Sequence, residues 1–373
     1  MEETFYQGPK DVFLTKVRAD FDVVEDQAVK AISSLEQNGL LSTDKNTEGL
    51  FTEVSNVTEE GNRAVWRHVG TTGAQQLDTR HAGGEYKEGQ FFRGWETAVT
   101  DPDLQDASEF TVPEERNDAE SNKYKTALNR AQKLVIEARR KNIGDPFDVL
   151  NQAFIVPASY AASRFFGKGN QGLTGALTAL NERLVTVTHS LASGLTPTAG
   201  VSNAVTNSGN HYAFSPTSYY AALEQATTFV DDVNKPMPMF GGKVAIVLPN
   251  ANGLVQTAKQ VNESEWQPGV NNNEVNVLNG LMGRIIASPY LTNSINYTTA
   301  NTQNKKWFLV DTATQDPQIG TGLVRVCFVP TESRVERREK VDSLVYKLKQ
   351  SYCYVWCDWR NILGSLGDNS VAS

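Results

Sequence analysis

Cysteine is scarce in this chain: Cys327, Cys353 and Cys357 are the only three in 373 residues. So small and odd a number excludes a disulfide-built fold and fits reduced thiols. Cys353 and Cys357 lie in SYCYVWCDW, which reads as a strand. Four positions apart on a strand they share a face but stand roughly 13 Å apart, too far to bridge. Histidine is almost as rare, and His68, His81, His189 and His211 show no metal-ligand spacing. No G-x-S-x-G elbow, H-E-x-x-H pair or G-x-x-x-x-G-K-[ST] loop occurs. The stretch Gly167 to Gly172 fits G-x-G-x-x-G. No clear strand precedes it and no acidic residue follows about 20 positions on, so a flexible turn is the better reading. The residues therefore suggest no catalytic group, no cofactor and no metal.

Two further absences narrow the class. No uninterrupted apolar segment approaches the length of a membrane span. The opening MEETFYQGPKDVF lacks a basic region followed by an apolar run, so no secretory signal is expected. Positive charge is not in excess either: the net charge is −8, spread along the chain, which argues against a general grip on nucleic acid. Arg334, Arg337, Arg338 and Lys340 form a basic run, but Glu332, Glu336 and Glu339 interleave with it. That pattern suits ion pairs between subunits or a solvated strand. Hydrophobic residues at 39% and charged residues at 21% leave ample material for a folded core.

What is present has a definite order. Residues 1–60 read as an N-terminal arm with a short helix near Val23 to Leu41. Residues 61–112 read as an extended β-hairpin loop: NRAVWRHV, then a Gly-rich tip with almost no aliphatic residues, then QFFRGW. An isolated hairpin is marginally stable, so such an arm is expected to rest on a neighbouring subunit. Trp95 to Pro113 reads as a polar connector. From Asn117 to 142, Tyr124, Ala127, Leu128, Ala131, Leu134, Val135 and Ala138 make one apolar stripe at helical spacing. Lys123, Lys125, Asn129, Arg130, Lys133, Glu137 and Lys141 occupy the opposite face, and Gly144-Asp145-Pro146 is expected to close the helix. A helix is also expected within 172–192, and a loop over 193–213. Ser215-Pro216 should cap a helix through Ala226. Strands at 243–250, 273–291, 305–313 and 323–330, with a helix through about Val261, indicate an α/β module over about 170–330. Residues 331–357 return to an extended pattern.

This combination resembles the major capsid protein of tailed bacteriophages, with the Hong Kong 97 type fold. FSPTSYYAALEQA (214–226) and KVAIVLPNANGLVQTA (243–258) resemble the family's helix and its strand ending in proline. GRIIASPYLT (283–292), KKWFLVD (305–311) and LKQSYCYVWCDWRNILGSLG (348–367) resemble later strands and the Arg-containing tail. The resemblance implies an α+β chain in which residues 113–170 and 331–373 form a peripheral domain crossed by a spine helix at 117–142, and residues 171–330 form an axial domain. It implies a non-enzymatic structural protein that assembles with itself into hexamers and pentamers of an icosahedral virion shell around double-stranded DNA, held without sequence-specific binding. A portal and, as only about 110 residues precede the helix, a separate scaffolding protein are implied partners, with a decoration protein optional. On this reading Arg63, Trp66, Arg67, Arg80, Tyr86, Lys87, Phe91, Phe92 and Arg93 of the loop are the candidate subunit-interface residues. The loops at 193–213 and 262–273 are candidates to line a symmetry axis. Some relatives join a loop lysine to a neighbour's asparagine, for which Lys87 and Asn361 are the candidate pair. An encapsulin-like cellular shell, a phage tail or adhesin component, and a cytoplasmic α/β enzyme remain as alternatives.

Overall fold

The computed structural model describes residues 50–55, 58–60, 63–72, 92–100, 104–111, 126–154, 183–189, 201–230, 236–237, 240, 244–266, 275–292, 305–312, 322–338 and 343–372. In chain order the strands are β1 (Thr52–Val54), β2 (Thr58–Glu60), β3 (Arg63–Thr72), β4 (Phe92–Thr100), β5 (Leu104–Thr111), β6 (Thr206–Asn207), β7 (Asn210–His211), β8 (Val244–Pro249), β9 (Met282–Ser288), β10 (Trp307–Asp311), β11 (Leu323–Arg338), β12 (Ser343–Trp356) and β13 (Ile362–Ser365). The helices are α1 (Thr126–Asn151), α2 (Pro216–Ala226) and α3 (Asn252–Glu263). The described residues fall into two compact units. One draws on Pro102–Ile143 and Phe328–Tyr352, the other on Lys45–Asp101, Gly144–Cys327 and Cys353–Ser373.

In the first unit β5 pairs antiparallel with β12, from Ser343 opposite Thr111 to Gln350 opposite Leu104. The expected polar connector is thus a strand over much of its length. Its apolar residues, Leu104, Ala107 and Phe110, do not alternate, so periodicity could not reveal it. It stands last in its sheet, where backbone hydrogen bonds to one neighbour suffice and a polar sequence is normal. The first unit also holds the N-terminal part of α1. There Ala138 is buried while Lys133, Glu137 and Arg140 are exposed, as the amphipathic pattern requires.

Helix α1 does not stop at Gly144-Asp145-Pro146; it runs on to Asn151, with Pro146 inside it. An internal proline deletes one hydrogen bond and costs about 3 kcal/mol in an ordinary helix. Beyond Ile143 the helix is buried on every side, and Phe147, Val149 and Leu150 are in the core. Burying each such side chain is worth about 1.5–3 kcal/mol, enough together to override the proline. At 26 residues the helix is about 39 Å long.

The second unit is built on the sheet β13-β10-β8-β9. Strands β8 and β9 run parallel, joined through α3 in a βαβ unit, while β10 is antiparallel to both β8 and β13. Every residue of β8 and β10 is buried, the continuous apolar run of strands covered on both faces. Residues 353–372 belong to this unit. The reason is packing: Tyr354, Trp356, Trp359, Ile362 and Leu363 are all buried, and β13 adds an edge to β10. The tail continues beside the β6–β7 hairpin, where His211 N–H donates to the Ser370 carbonyl and Ala372 N–H to that of Gly209. Gly367 makes the necessary corner: its φ is +67°, and a Cβ there would collide with the Lys305 carbonyl. Residues 183–189 are not helical but bridge to Val201 through His189, so the helix expected within 172–192 does not reach them. The N-terminal helix, the loop tip and the Gly167–Gly172 motif lie outside the described residues.

Candidate assembly surface

The loop forms a three-stranded sheet, β2-β3-β4, antiparallel throughout. Its strands are longer than the sequence pattern indicated, since β4 continues through Thr100. The β3–β4 register runs from Val65 opposite Thr100 to Thr72 opposite Phe92, with an irregularity between Val69 and Thr71 that adds one residue to β4. Because strand positions alternate, this register puts Arg63, Arg67 and Arg93 on one face of the ladder, and Trp66 and Phe92 on the other.

That arrangement separates the candidate residues. Trp66 is 4% exposed, buried within its own subunit, so it is not available as an anchor for a neighbour. Strand alternation alone did not say which face was inward. Arg63, Arg67 and Arg93 keep their place as positions on the opposite face. Arg80, Tyr86, Lys87 and Phe91 lie outside the described residues. Asn361 is fully buried, with its backbone carbonyl accepting from Asp311 N–H. A lysine from a neighbouring subunit has no access to it, which removes the Lys87–Asn361 pairing in this conformation. The sequence alone showed only that Asn361 lies near the chain end.

Two exposed apolar surfaces were not singled out residue by residue in the sequence. On α1, Ile136 is 57% exposed beside Glu137 and Arg140, whose charged groups are 3.8 Å apart. In the second unit, the excursion between α3 and β9 exposes Trp266 at 54%, Val275 at 70% and Val277 at 73%. Trp266 and Val275 bridge its base. Asn276, buried between the two valines, fixes it: its Nδ2 donates to the carbonyls of Val261 and Ser264, and its Oδ1 accepts from Leu278 N–H. The apolar side chains are therefore presented on a backbone tied to the end of α3. A tryptophan within the polar stretch ESEWQPG was the available signal. This excursion includes the 262–273 loop named above as a candidate for a symmetry axis.

The polar interior of the same unit is structural in its geometry. Asn203 Oδ1 accepts from Thr186 N–H at 2.9 Å and from His189 Nε2 at 2.8 Å, while its Nδ2 faces the carbonyls of Leu184, Trp359 and Ile362. His189 stacks on Trp359 with ring centroids 4.0 Å apart, and Arg360 lies over the same indole. His211 is buried against Phe154, and burial holds its imidazole below its ordinary value despite the nearby Asp368 carboxylate. Among the described residues, no group of three or more His, Cys, Asp or Glu could hold a metal ion. None of the described helices is long and apolar enough to cross a membrane.

Three solved structures are similar to this chain. The capsid of cyanophage P-SCSP1u is 13% identical, with a TM-score of 0.46 over 85% of this chain and 86% of that one. The mature capsid of bacteriophage PhiM1 is 13% identical, with a TM-score of 0.43 over 85% of each chain. A virus-like particle from Pyrococcus furiosus is 10% identical, with a TM-score of 0.44 over 90% of this chain and 98% of that one. No protein-family model matches the sequence, and no curated protein does.

Proposed function

We propose that this chain is a major capsid protein of the Hong Kong 97 type, a non-enzymatic tile of the icosahedral shell that encloses phage double-stranded DNA. The observation that carries the reading is the order and size of the elements. A hairpin of ten and nine residues per strand precedes a 26-residue helix, an α/β unit follows, and strands of 16 and 14 residues bring the chain back. That order is the one the sequence resemblance calls for, read from backbone geometry and not from wording. A 39 Å helix is ill suited to a compact enzyme domain and well suited to a plate that tiles a surface.

The mechanism is geometric. The hairpin of one subunit would lie over its neighbour and add contact area that closes hexamers and pentamers. Arg63, Arg67 and Arg93, with Arg80 and Lys87 toward the tip, would set register more than energy, because exposed ion pairs contribute little each. Tyr86 and Phe91 are the aromatic anchors that remain, since Phe92 shares the ladder face of the buried Trp66. The Trp266–Val275–Val277 surface is a second contact, suited to the symmetry axis. The shell would sit in the virion, with a scaffolding protein, a portal and optionally a decoration protein as partners.

Electron microscopy of the purified protein tests the proposal. Closed shells tens of nanometres wide, with DNA inside those taken from native particles, are expected. A stable monomer at high concentration would refute it. Shells filled with a protein cargo and free of DNA would assign the chain to a cellular nanocompartment instead.

A further inference from the structure

After β13 the chain doubles back and lays a short strap, residues 368–372, along the β6–β7 hairpin. The hairpin turns through Ser208 and Gly209, both at positive φ (51° and 83°), as a tight two-residue link requires. Strand β7 takes the strap as a further neighbour. His211 N–H donates to the Ser370 carbonyl at 2.8 Å, Asn369 N–H to the His211 carbonyl at 3.2 Å, and Ala372 N–H to the Gly209 carbonyl at 3.0 Å. Asn369 and Ser370 thus both oppose His211, which is a β-bulge, and Asn369 takes the left-handed φ of 61° that its first position demands. Side chains do little to hold the strap: none of residues 368–372 is buried, and Val371 is 79% exposed. A segment so held belongs to the low end of a fold's range of local stabilities. The residue beneath it is different. His211 is 3% exposed, its ring meets Phe154 edge-on at 5.1 Å, and its Nδ1 is buried without a hydrogen-bond partner.

We propose that the strap is an acid-released latch: protonation of His211 opens residues 368–372 from β7 while the rest of the unit stays folded. An imidazolium donates from both ring nitrogens, and the closed latch gives Nδ1 neither an acceptor nor water. Opening the strap hydrates the ring at the loss of three main-chain hydrogen bonds. The charges around the ring leave His211 as the switch. Burial holds its imidazole below the ordinary 6.5, and Asp368 of the strap only partly offsets this. The other neighbours are uncharged: Phe154 follows α1, and Thr206 lies across the hairpin. Asp368 also acts on Lys306, just before β10, which burial lowers to about 8. Lys306 therefore keeps its charge below that value. Asp368 stays ionised too: despite some desolvation its carboxyl lies below the ordinary value, because the Ser370 hydroxyl and N–H both donate to its Oδ1, at 2.6 and 3.0 Å. Only His211 of these three changes charge between about pH 7 and about pH 5. The closed form holds the ring below 6.5 and the open form lets it titrate normally, so acid favours opening, by up to about tenfold per pH unit. Release bares the backbone of β7 on the strap side and turns it into an edge.

The plain alternative is a permanent edge strand. Hydrogen exchange of the full chain, read by mass spectrometry at about pH 7.5 and about pH 5.5 and corrected for the chemical rate at each, separates the two. The latch expects peptides over 205–214 and 366–373 to open about five- to tenfold more at the lower pH, while those over β8 and β10 keep their protection. His211→Gln should abolish the rise. Equal protection of the strap at both pH values, or a loss shared evenly with β8 and β10, overturns the proposal whether or not the variant folds. A wild-type rise in a folded His211→Gln chain also overturns it, because another group would then be the switch. A chain ending at Gly367 supplies a second reading by NMR of the histidine rings. Its His211 should titrate nearer 6.5 than in the full chain, and an unmoved value would mean that the strap does not keep the ring dry. All the groups involved belong to one chain, so the outcome does not depend on shell assembly.

Discussion

Burial and the C-terminal tail act on the same residue in His211. Its backbone N–H donates to Ser370 and its carbonyl accepts from Asn369, so the tail is hydrogen-bonded to the segment that carries the imidazole. Burial disfavours the imidazolium, and Asp368, the nearby acid, only partly offsets this. With a folded value below the ordinary 6.5, the unfolded chain takes up a proton as pH falls and the folded chain resists it. The stability is therefore full above about pH 6.5 and is lost progressively below it. The wild-type melting temperature should fall more between about pH 7 and about pH 5 than that of His211→Gln, measured by calorimetry on the unassembled subunit. Parallel pH profiles for the two would count against this account. None of this was legible in the sequence, where His211 showed only that it lacked a metal-ligand partner. A lone histidine carries no sign of whether it will be buried, because its burial here depends on Phe154 and on a tail some 160 residues away in the chain.

At the scale of elements, local chemistry was readable wherever it alone decided the outcome. Ser215 caps α2 as the Ser-Pro pair implied: its Oγ accepts from Ser218 N–H, and Ser218 Oγ accepts in return from Ser215 N–H. Ser215→Ala is expected to cost about 1 kcal/mol in denaturant unfolding, and Ser215→Thr much less. An unchanged midpoint for the alanine variant would mean that packing of the buried Tyr219 and Ala222, not the cap, sets the start of the helix. The buried strand β8 was equally plain, since an apolar run ending in proline leaves few alternatives. Elements decided by distant partners were not readable. Strand β5 exists because β12 offers it eight paired positions. Helix α1 passes its own stop signal because the residues after it are wanted in a core. The same division holds for the assembly surface: the hairpin was visible as alternation about a Gly-rich tip, whereas which of its faces turns inward was fixed by the packing of Trp66.

For the whole molecule, the decisive question is whether the hairpin serves its own subunit or another. Trp66 argues that the base of the hairpin is anchored at home, while the segment beyond Thr72 and before Phe92 is too poor in aliphatic residues to bury a face of its own. Thr72 and Phe92 are paired across the ladder, so a two-residue Asn-Gly turn can join them without disturbing the register below. Replacing residues 73–91 by that turn should leave β3, β4 and the core intact, with circular dichroism and melting temperature close to wild type. It should also remove Arg80, Tyr86, Lys87 and Phe91 together. If the tip reaches a neighbour, the shortened chain stays as small oligomers by sedimentation, and shells disappear from micrographs. Trp66→Ala should do the opposite, lowering subunit stability by about 3–5 kcal/mol, as for a buried aromatic truncated to alanine. Shells of normal size from the shortened chain would mean that the hairpin is a domestic element. Closure would then have to rest on other surfaces, of which the exposed Trp266–Val277 excursion is the first to test.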